Sequence, residues 1–244
     1  MASSAIDPTT AIRIRRHEPT RLEGFVDASF AFAVTVLVIS IGHVPTSVPD
    51  MLQALRGVPA FALSFLSIVR IWKAHFDWSR QFGLDDEASR RLSLLLVFVV
   101  LLYVYPLRLL FSLFFAWVSH GYLVDQPLAL QNLEELRAAF EVYGLGFGLI
   151  AGTIALLYRH ALRQAATIGL DAREVLATRM HVAIWSALVV IAAISIGCAA
   201  LLPFRSDQPF VFTLPGTVYA LTGIATGAIR RRYGQRLRAL AGSA

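Results

Sequence analysis

Six long blocks of apolar sequence constrain this chain more than any other feature. They cover about residues 23–42, 54–78, 92–118, 140–158, 179–203 and 209–229. A helix that crosses a bilayer needs roughly 20 consecutive, mostly apolar residues, and several of the blocks reach that length. Composition agrees: 57% of the 244 residues are hydrophobic, 16% are charged, and the mean hydropathy is +0.63. A soluble domain averages roughly 45–50% apolar and about 25% charged residues. The pattern excludes an ordinary soluble enzyme, a disordered chain and a secreted disulfide scaffold. The single cysteine, Cys198, excludes an intrachain disulfide framework and a multi-cysteine metal site. The predicted fold is therefore an all-α integral membrane protein with six transmembrane helices.

The net charge of +6 invites a nucleic-acid reading until the basic residues are placed. Arg13, Arg15, Arg16 and Arg21 precede the first span, and Lys73, Arg80, Arg90 and Arg91 surround the second connection. Arg159, Arg163, Arg173 and Arg179 surround the fourth, and Arg230, Arg231, Arg232, Arg236 and Arg238 follow the sixth. The opposite side receives Arg56, Arg137 and Arg205, while Arg70 and Arg108 lie within spans, so the division is 17 to 3. Basic residues concentrate on the cytoplasmic side of membrane proteins, which predicts that both termini are cytoplasmic. The charge records orientation, and no nucleic-acid partner is expected. The first apolar run is longer than the 7–15 residues of a signal peptide and ends in IGHVPTSVPD, without a small-x-small cleavage site. It reads as a true first helix. The expected organisation is a basic segment 1–20, a six-helix membrane domain 21–230 and a basic tail 231–244.

Catalytic signatures are missing: there is no G-x-S-x-G, H-E-x-x-H, Walker loop or strand-borne G-x-G-x-x-G. An enzyme is not expected, nor is a cofactor or a resident metal. The segment YGLGFGLIAG (143–152) has the glycine-aromatic-glycine look of a carbonyl-lined filter. Gly144, Gly148 and Gly152 repeat every four residues, the small-xxx-small spacing that lets helices approach closely, and packing is the expected role.

The first span carries the strongest polar signal. Glu23 and Asp27 stand four apart at its cytoplasmic start beside Arg21. Glu23 is expected to serve the helix N-terminus, where acidic groups are favoured. Asp27, a turn deeper, is expected to have a specific buried partner, because a carboxylate inside a span is costly unless paired. Ser29, Phe32, Val36, Ile39 and His43 follow at steps of three or four and so share a face, with Thr35 beside it. Ala28, Ala31 and Ala33 are expected on a second, close-packing face.

The run RLEGFVD (21–27) resembles the R-x-x-x-F-S-D motif of the transmembrane protein 175 family of endosomal and lysosomal potassium channels and their bacterial relatives. SFLSIVRIWKAHF (64–76) is similar to that family's second-helix pattern of a Ser-Phe pair followed by Trp-x-x-His-His. SLLLVFVVLLYVYPLRLL (93–110) resembles its third helix, with Tyr105-Pro106 as the aromatic-proline pair. Val26 stands where the motif has serine, Phe76 replaces its second histidine, Ser93 occupies a usual asparagine position, and Phe32 is bulkier than the usual isoleucine or leucine.

The resemblance implies a six-helix subunit, a homotetramer in the cell membrane, and passive potassium conduction through a pore surrounded by the first helices. It implies a hydrophobic constriction from Phe32, Val36 and Ile39, with Thr35 close to the path. Arg21, Phe25, Asp27, Trp72 and His75 match the motif cluster expected to orient the pore helix. Potassium ions, held only transiently, membrane lipid and further copies of the chain are the implied partners, and proton permeation is an implied second activity. Two other readings stay open. A secondary transporter would use the intramembrane charges Asp27 and Arg108 and the glycine-rich fourth span, although the halves show no visible repeat. A non-conducting membrane scaffold would follow from a ring of phenylalanines that seals the path.

Overall fold

The computed structural model describes residues 12–40, 45–125, 132–202 and 209–242. Their regular elements are helices: α1 (Arg21–Ile39), α2 (Val48–Arg56), α3 (Val58–Phe82), α4 (Glu87–Val118), α5 (Leu133–Arg163), α6 (Ala172–Leu201), α7 (Pro209–Thr217) and α8 (Leu221–Gly242), the last two joined by a 3-10 turn at Val218–Ala220. Four of them, α1, α4, α5 and α6, are long and apolar enough to cross a membrane, and α2 with α3 makes a fifth if the bent pair counts as one span. The expected sixth span, 209–229, corresponds to α7, the 3-10 turn and the start of α8.

Helix starts follow local chemistry. Four orphan N–H groups open every helix, and side chains accept from them: Thr20 for α1, Ser47 for α2, Asp86 for α4, Asn132 for α5 and Asp171 for α6. In α1 and α6 the cap is reciprocal, because Glu23 and Glu174 also accept from the Thr20 and Asp171 backbone N–H groups, the capping box. These polar turns lie outside the apolar blocks, so the helices overrun them; α5 spans 31 residues. The second block breaks at Gly57, where α2 and α3 meet at 49°. Pro59 at the start of α3 has no N–H to continue a ladder. α3 stops at Gly83, whose left-handed φ of 62° suits glycine.

Two groups of helices form the bundle. α1, α3 and α4 pack on one another; α6 packs on α5, α7 and α8; and the α4–α5 contact joins the groups. The α5–α6 pair is the most extensive, and the glycine-rich segment lies inside α5 and packs closely on two neighbours. A Cβ at Gly144 would sit 2.7 Å from Ile196 Cγ1, one at Gly148 3.3 Å from Ala192 Cβ, and one at Gly146 would overlap the Tyr103 ring.

The two ends of the bundle differ in charge. One end gathers Arg13, Arg15, Arg16, Arg80, the Asp86–His160 pair at 2.6 Å and the turn before α6. The other gathers α2, Arg56 over the Tyr122 ring at 4.7 Å, and Gln53, which donates to the carbonyls of Val124 and Asp125 at 3.0 and 3.3 Å. Arg205 lies outside the described residues.

Candidate functional site

α1 is packed on one side only. Glu23, Val26, Phe30, Ala33 and Leu37 are buried against the subunit. At about 100° per residue the opposite sector is centred on Ala28, Thr35 and Ile39 and flanked by Ala31, Phe32 and Val38, all exposed. Phe32 keeps 59% of its surface accessible and Ile39 68%. The predicted stripe sits at one edge of this sector: Phe32 and Ile39 are exposed, whereas Ser29 and Val36 are half-buried, Val36 against the core. His43 lies outside the described residues. The alanines divide differently from expectation, because Ala33 is turned some 140° from Ala28 at helical pitch. Ala33 packs inward while Ala28 and Ala31 join the exposed face.

The motif residues are brought together in part. Trp72 Nε1 donates to Asp27 Oδ1 at 2.7 Å, linking α3 to α1. Asp27 thus has a specific partner, but not the buried one expected: Asp27 is exposed and Trp72 half-buried, because Asp27 lies at the edge of the packed face of α1. Trp72 also meets the Phe76 ring at 5.4 Å, the residue that stands in the second histidine position. His75 is buried and turned to α4, with Nε2 at 2.9 Å from Ser93 Oγ. Arg21 and Phe25 project from the exposed side of α1. Among the described residues no group of three or more His, Cys, Asp or Glu is placed to hold a metal ion.

Charges inside the bundle have local partners. Arg108 of α4 pairs with Asp125, which follows α4, and both side chains are more than nine-tenths buried. Asp125 lies against Gly57, where any Cβ would approach its carboxyl carbon to 2.6 Å. The pair therefore ties α4 to the α2–α3 bend.

Spacing did not reveal the polar network at the foot of α1. Arg80 Nε approaches the buried Glu23 carboxylate at 3.8 Å. Arg15 grips Glu174 at the start of α6 through both terminal nitrogens, at 3.0 and 2.8 Å. Arg13 pairs with Asp171 at 2.9 Å. Burial alone would raise the Asp171 carboxyl, but the Glu174 backbone N–H and the Arg13 guanidinium overcome it and hold it below its ordinary range. The two capping-box signatures, T-x-x-E at 20–23 and D-x-x-E at 171–174, are the local signal for the glutamates. Their arginine partners carry none.

Comparison with known proteins gives the arrangement its context. The model of the family described as "Endosomal/lysosomal potassium channel TMEM175" matches residues 21–105, which hold α1, α3 and most of α4. A potassium channel of Marivirga tractuosa is 31% identical over 173 residues, covering 69% of each chain. The crystal structure of a variant of the potassium channel MtTMEM175, in complex with a nanobody–MBP fusion protein, matches with a TM-score of 0.78 at 25% identity. That match covers 94% of this chain and 98% of the other. The chain is thus a multi-pass membrane protein that belongs to the TMEM175 potassium channel family, a family of ion channels and not of enzymes.

Proposed function

We propose that the protein is a passive, potassium-permeable channel of the cell membrane, with α1 as its pore helix. The observation that carries this reading is the exposed apolar sector of α1, opposite a fully packed face. Four subunits with α1 around a common axis would cover that sector, in keeping with the closed symmetry of most oligomers. Six spans per subunit, with α7 and α8 as the last, return both termini to the cytoplasm, as the arginine distribution requires. The basic segment 1–20 and the tail 231–244 then flank a membrane domain at 21–230.

Phe32 and Ile39 form the constriction, about two helical turns apart, with Thr35 between them as a hydroxyl facing the path. Val36 borders it. Such a constriction conducts when wet and closes by dewetting, so selectivity does not depend on backbone carbonyls. The Asp27–Trp72 hydrogen bond fixes the rotation of α1 against α3, and with it which side chains face the axis. His75 and Ser93 hold the back of α3 on α4. Arg21 and Phe25 flank the cytoplasmic mouth.

Purified protein reconstituted in liposomes with a potassium gradient tests this directly. Potassium should leave passively, without saturation or a coupling ion, and Ile39→Asn should raise the flux by wetting the constriction. Liposomes that stay tight to every monovalent cation around a folded tetramer would overturn the reading and favour a scaffold. A proton gradient in the same vesicles tests proton permeation. The secondary-transporter reading loses one of its supports, since Arg108 is neutralised within its own subunit by Asp125.

A further inference from the structure

Residues 12–17 run across the charged end of the bundle immediately before α1. Ile12 is fully buried. The Arg15 and Arg16 backbone N–H groups both donate to the Arg80 carbonyl, at 3.0 and 3.1 Å. Arg16 Nη2 donates to the Gly83 carbonyl at 2.7 Å, and Arg80 Nη1 returns a hydrogen bond to the His17 carbonyl. The segment is thus fastened to the end of α3. Arg15 fastens it to α6 as well. Besides the double contact with Glu174, its guanidinium donates to the carbonyls of Ile168, Gln81 and Gly169 at 3.2, 3.2 and 3.3 Å. Glu174, with 1% of its surface exposed, also accepts from the Arg13 backbone N–H at 2.9 Å. A buried carboxylate gripped by a two-pronged arginine is the strong form of ion pair.

The chain of contacts does not stop there. Arg80, fastened under this segment, is the residue that faces the Glu23 carboxylate, and Glu23 closes the capping box of α1. α6 is connected to the foot of α1 through Glu174, Arg15, the Arg80 backbone and side chain, and Glu23. The two capping-box glutamates end this path, one at each helix.

The geometry points to residues 12–17 as a strap that sets the position of α1, with Arg15 and Glu174 as positioning residues for conduction. The inference rests on α1 being the pore helix. Neither residue touches the exposed sector of α1; each acts through Arg80 and Glu23. Motion of α6 against α5 is thereby passed to the mouth of the pore, and a strap freed from Glu174 leaves the foot of α1 held by α3, through Trp72 and an Arg80 no longer tied to α6.

Glu174→Gln is the informative change, because the amide keeps the size and the acceptor oxygen needed for the cap while the charge is lost. Potassium flux per reconstituted channel is measured for the wild type, Glu174→Gln, Arg15→Gln and the double variant. Position 24, where a Cβ meets nothing within 4 Å, carries a spin label as Gly24→Cys in a Cys198→Ala background, reporting distances between the feet of α1 in the assembly. The expected result is a flux change of about threefold or more in each single variant, in the same direction. The double variant should go no further, and the label distances should shift or broaden. Unchanged flux and unchanged distances in both single variants would overturn the inference. So would single effects that multiply in the double variant, since the two residues would then act separately. If the wild type itself passes no potassium, the channel reading fails instead. The label distances then decide the strap alone, with a shift supporting it and no shift refuting it.

Discussion

Asp125→Asn isolates a buried charge interaction between α4 and the residues that follow it. The side chains of Arg108 and Asp125 are 8% and 9% exposed, and Arg108 Nη1 is buried without a hydrogen-bond partner among the described residues. Asparagine keeps the shape that fits against Gly57 and removes the charge, leaving a guanidinium with nothing to balance it. Breaking one side of a buried pair costs about 3–5 kcal/mol. For a chain of this length each kcal/mol corresponds to about 2–4 °C of melting temperature, so a fall of about 10 °C is expected. Pairing the change with Arg108→Met removes both charges, and most of the loss should return, because well-packed apolar replacements of buried pairs are often neutral or better. Intrinsic fluorescence during heating of the detergent-solubilised protein follows both. A shift of less than about 2 °C for Asp125→Asn, at most about 1 kcal/mol, would refute the reasoning, as would a double variant no more stable than the single one. Potassium flux per folded channel should be unaffected. A fall beyond the loss of folded protein would return the pair to the transport path and revive the transporter reading.

Three further outcomes follow from the described geometry. Phe32→Ala should raise potassium flux by widening and wetting the proposed constriction, whereas Val36→Asn should chiefly lower stability, by about 1–3 kcal/mol, because Val36 packs on the core; flux and heating assays on the same preparations separate the two. Gly146→Ala drives a methyl into the Tyr103 ring and should cost about 1–3 kcal/mol by overpacking, while Gly152→Ala, with its nearest neighbour Val189 Cγ2 at 3.8 Å, should be neutral or gain up to about 1 kcal/mol from helix propensity. Burial alone would raise the Asp86 carboxyl, yet the Ser89 backbone N–H and His160 overcome it and hold it below its ordinary value. Its contribution is therefore fully present above the ordinary carboxylate range, about pH 4, and is lost as pH falls through the lowered value. In Asp86→Asn, which can still cap α4, melting temperature should fall less steeply between about pH 5 and about pH 3.

Hydropathy located the membrane-crossing helices because lipid demands long apolar runs, and it placed α1, α4, α5 and α6 without ambiguity. It misplaced their ends, since the first turns of α5 and α6 are polar and are signalled by Asn132 and Asp171, not by apolar periodicity. Gly57 and Pro59 interrupt the second block in plain sight, yet an apolar window passes over them. Asp27 was expected to have a buried partner and has one nearer the surface, because a turn-deep carboxylate in a span is legible as a cost but its depth in the bundle is not. The identity of that partner depends on how α3 is rotated, and His75, three residues beyond Trp72, is turned to α4. The predicted stripe on α1 was offset by some 60° from the exposed sector, because period alone does not say which edge of a stripe the neighbouring helices cover. Arg15 and Glu174 are 159 residues apart, and only the folded chain brings them together.

The connections of α1 to its subunit are uneven along its length. Among the described residues its ion pair to Arg80 and its hydrogen bond to Trp72 lie in the first two turns. Beyond Asp27 it is held by apolar packing of Phe30, Ala33 and Leu37, which resists separation but tolerates sliding. The helix is thus a cantilever, clamped at one end. From Asp27 to Ile39 the arm is about 18 Å long at 1.5 Å per residue, so a tilt of about 5° at the clamp carries Ile39 sideways by about 1.6 Å. In the proposed tetramer, with four such arms around one axis, a displacement of that size would exceed the radius of a water molecule, and a small rotation at the base would become the difference between a dry neck and a filled one.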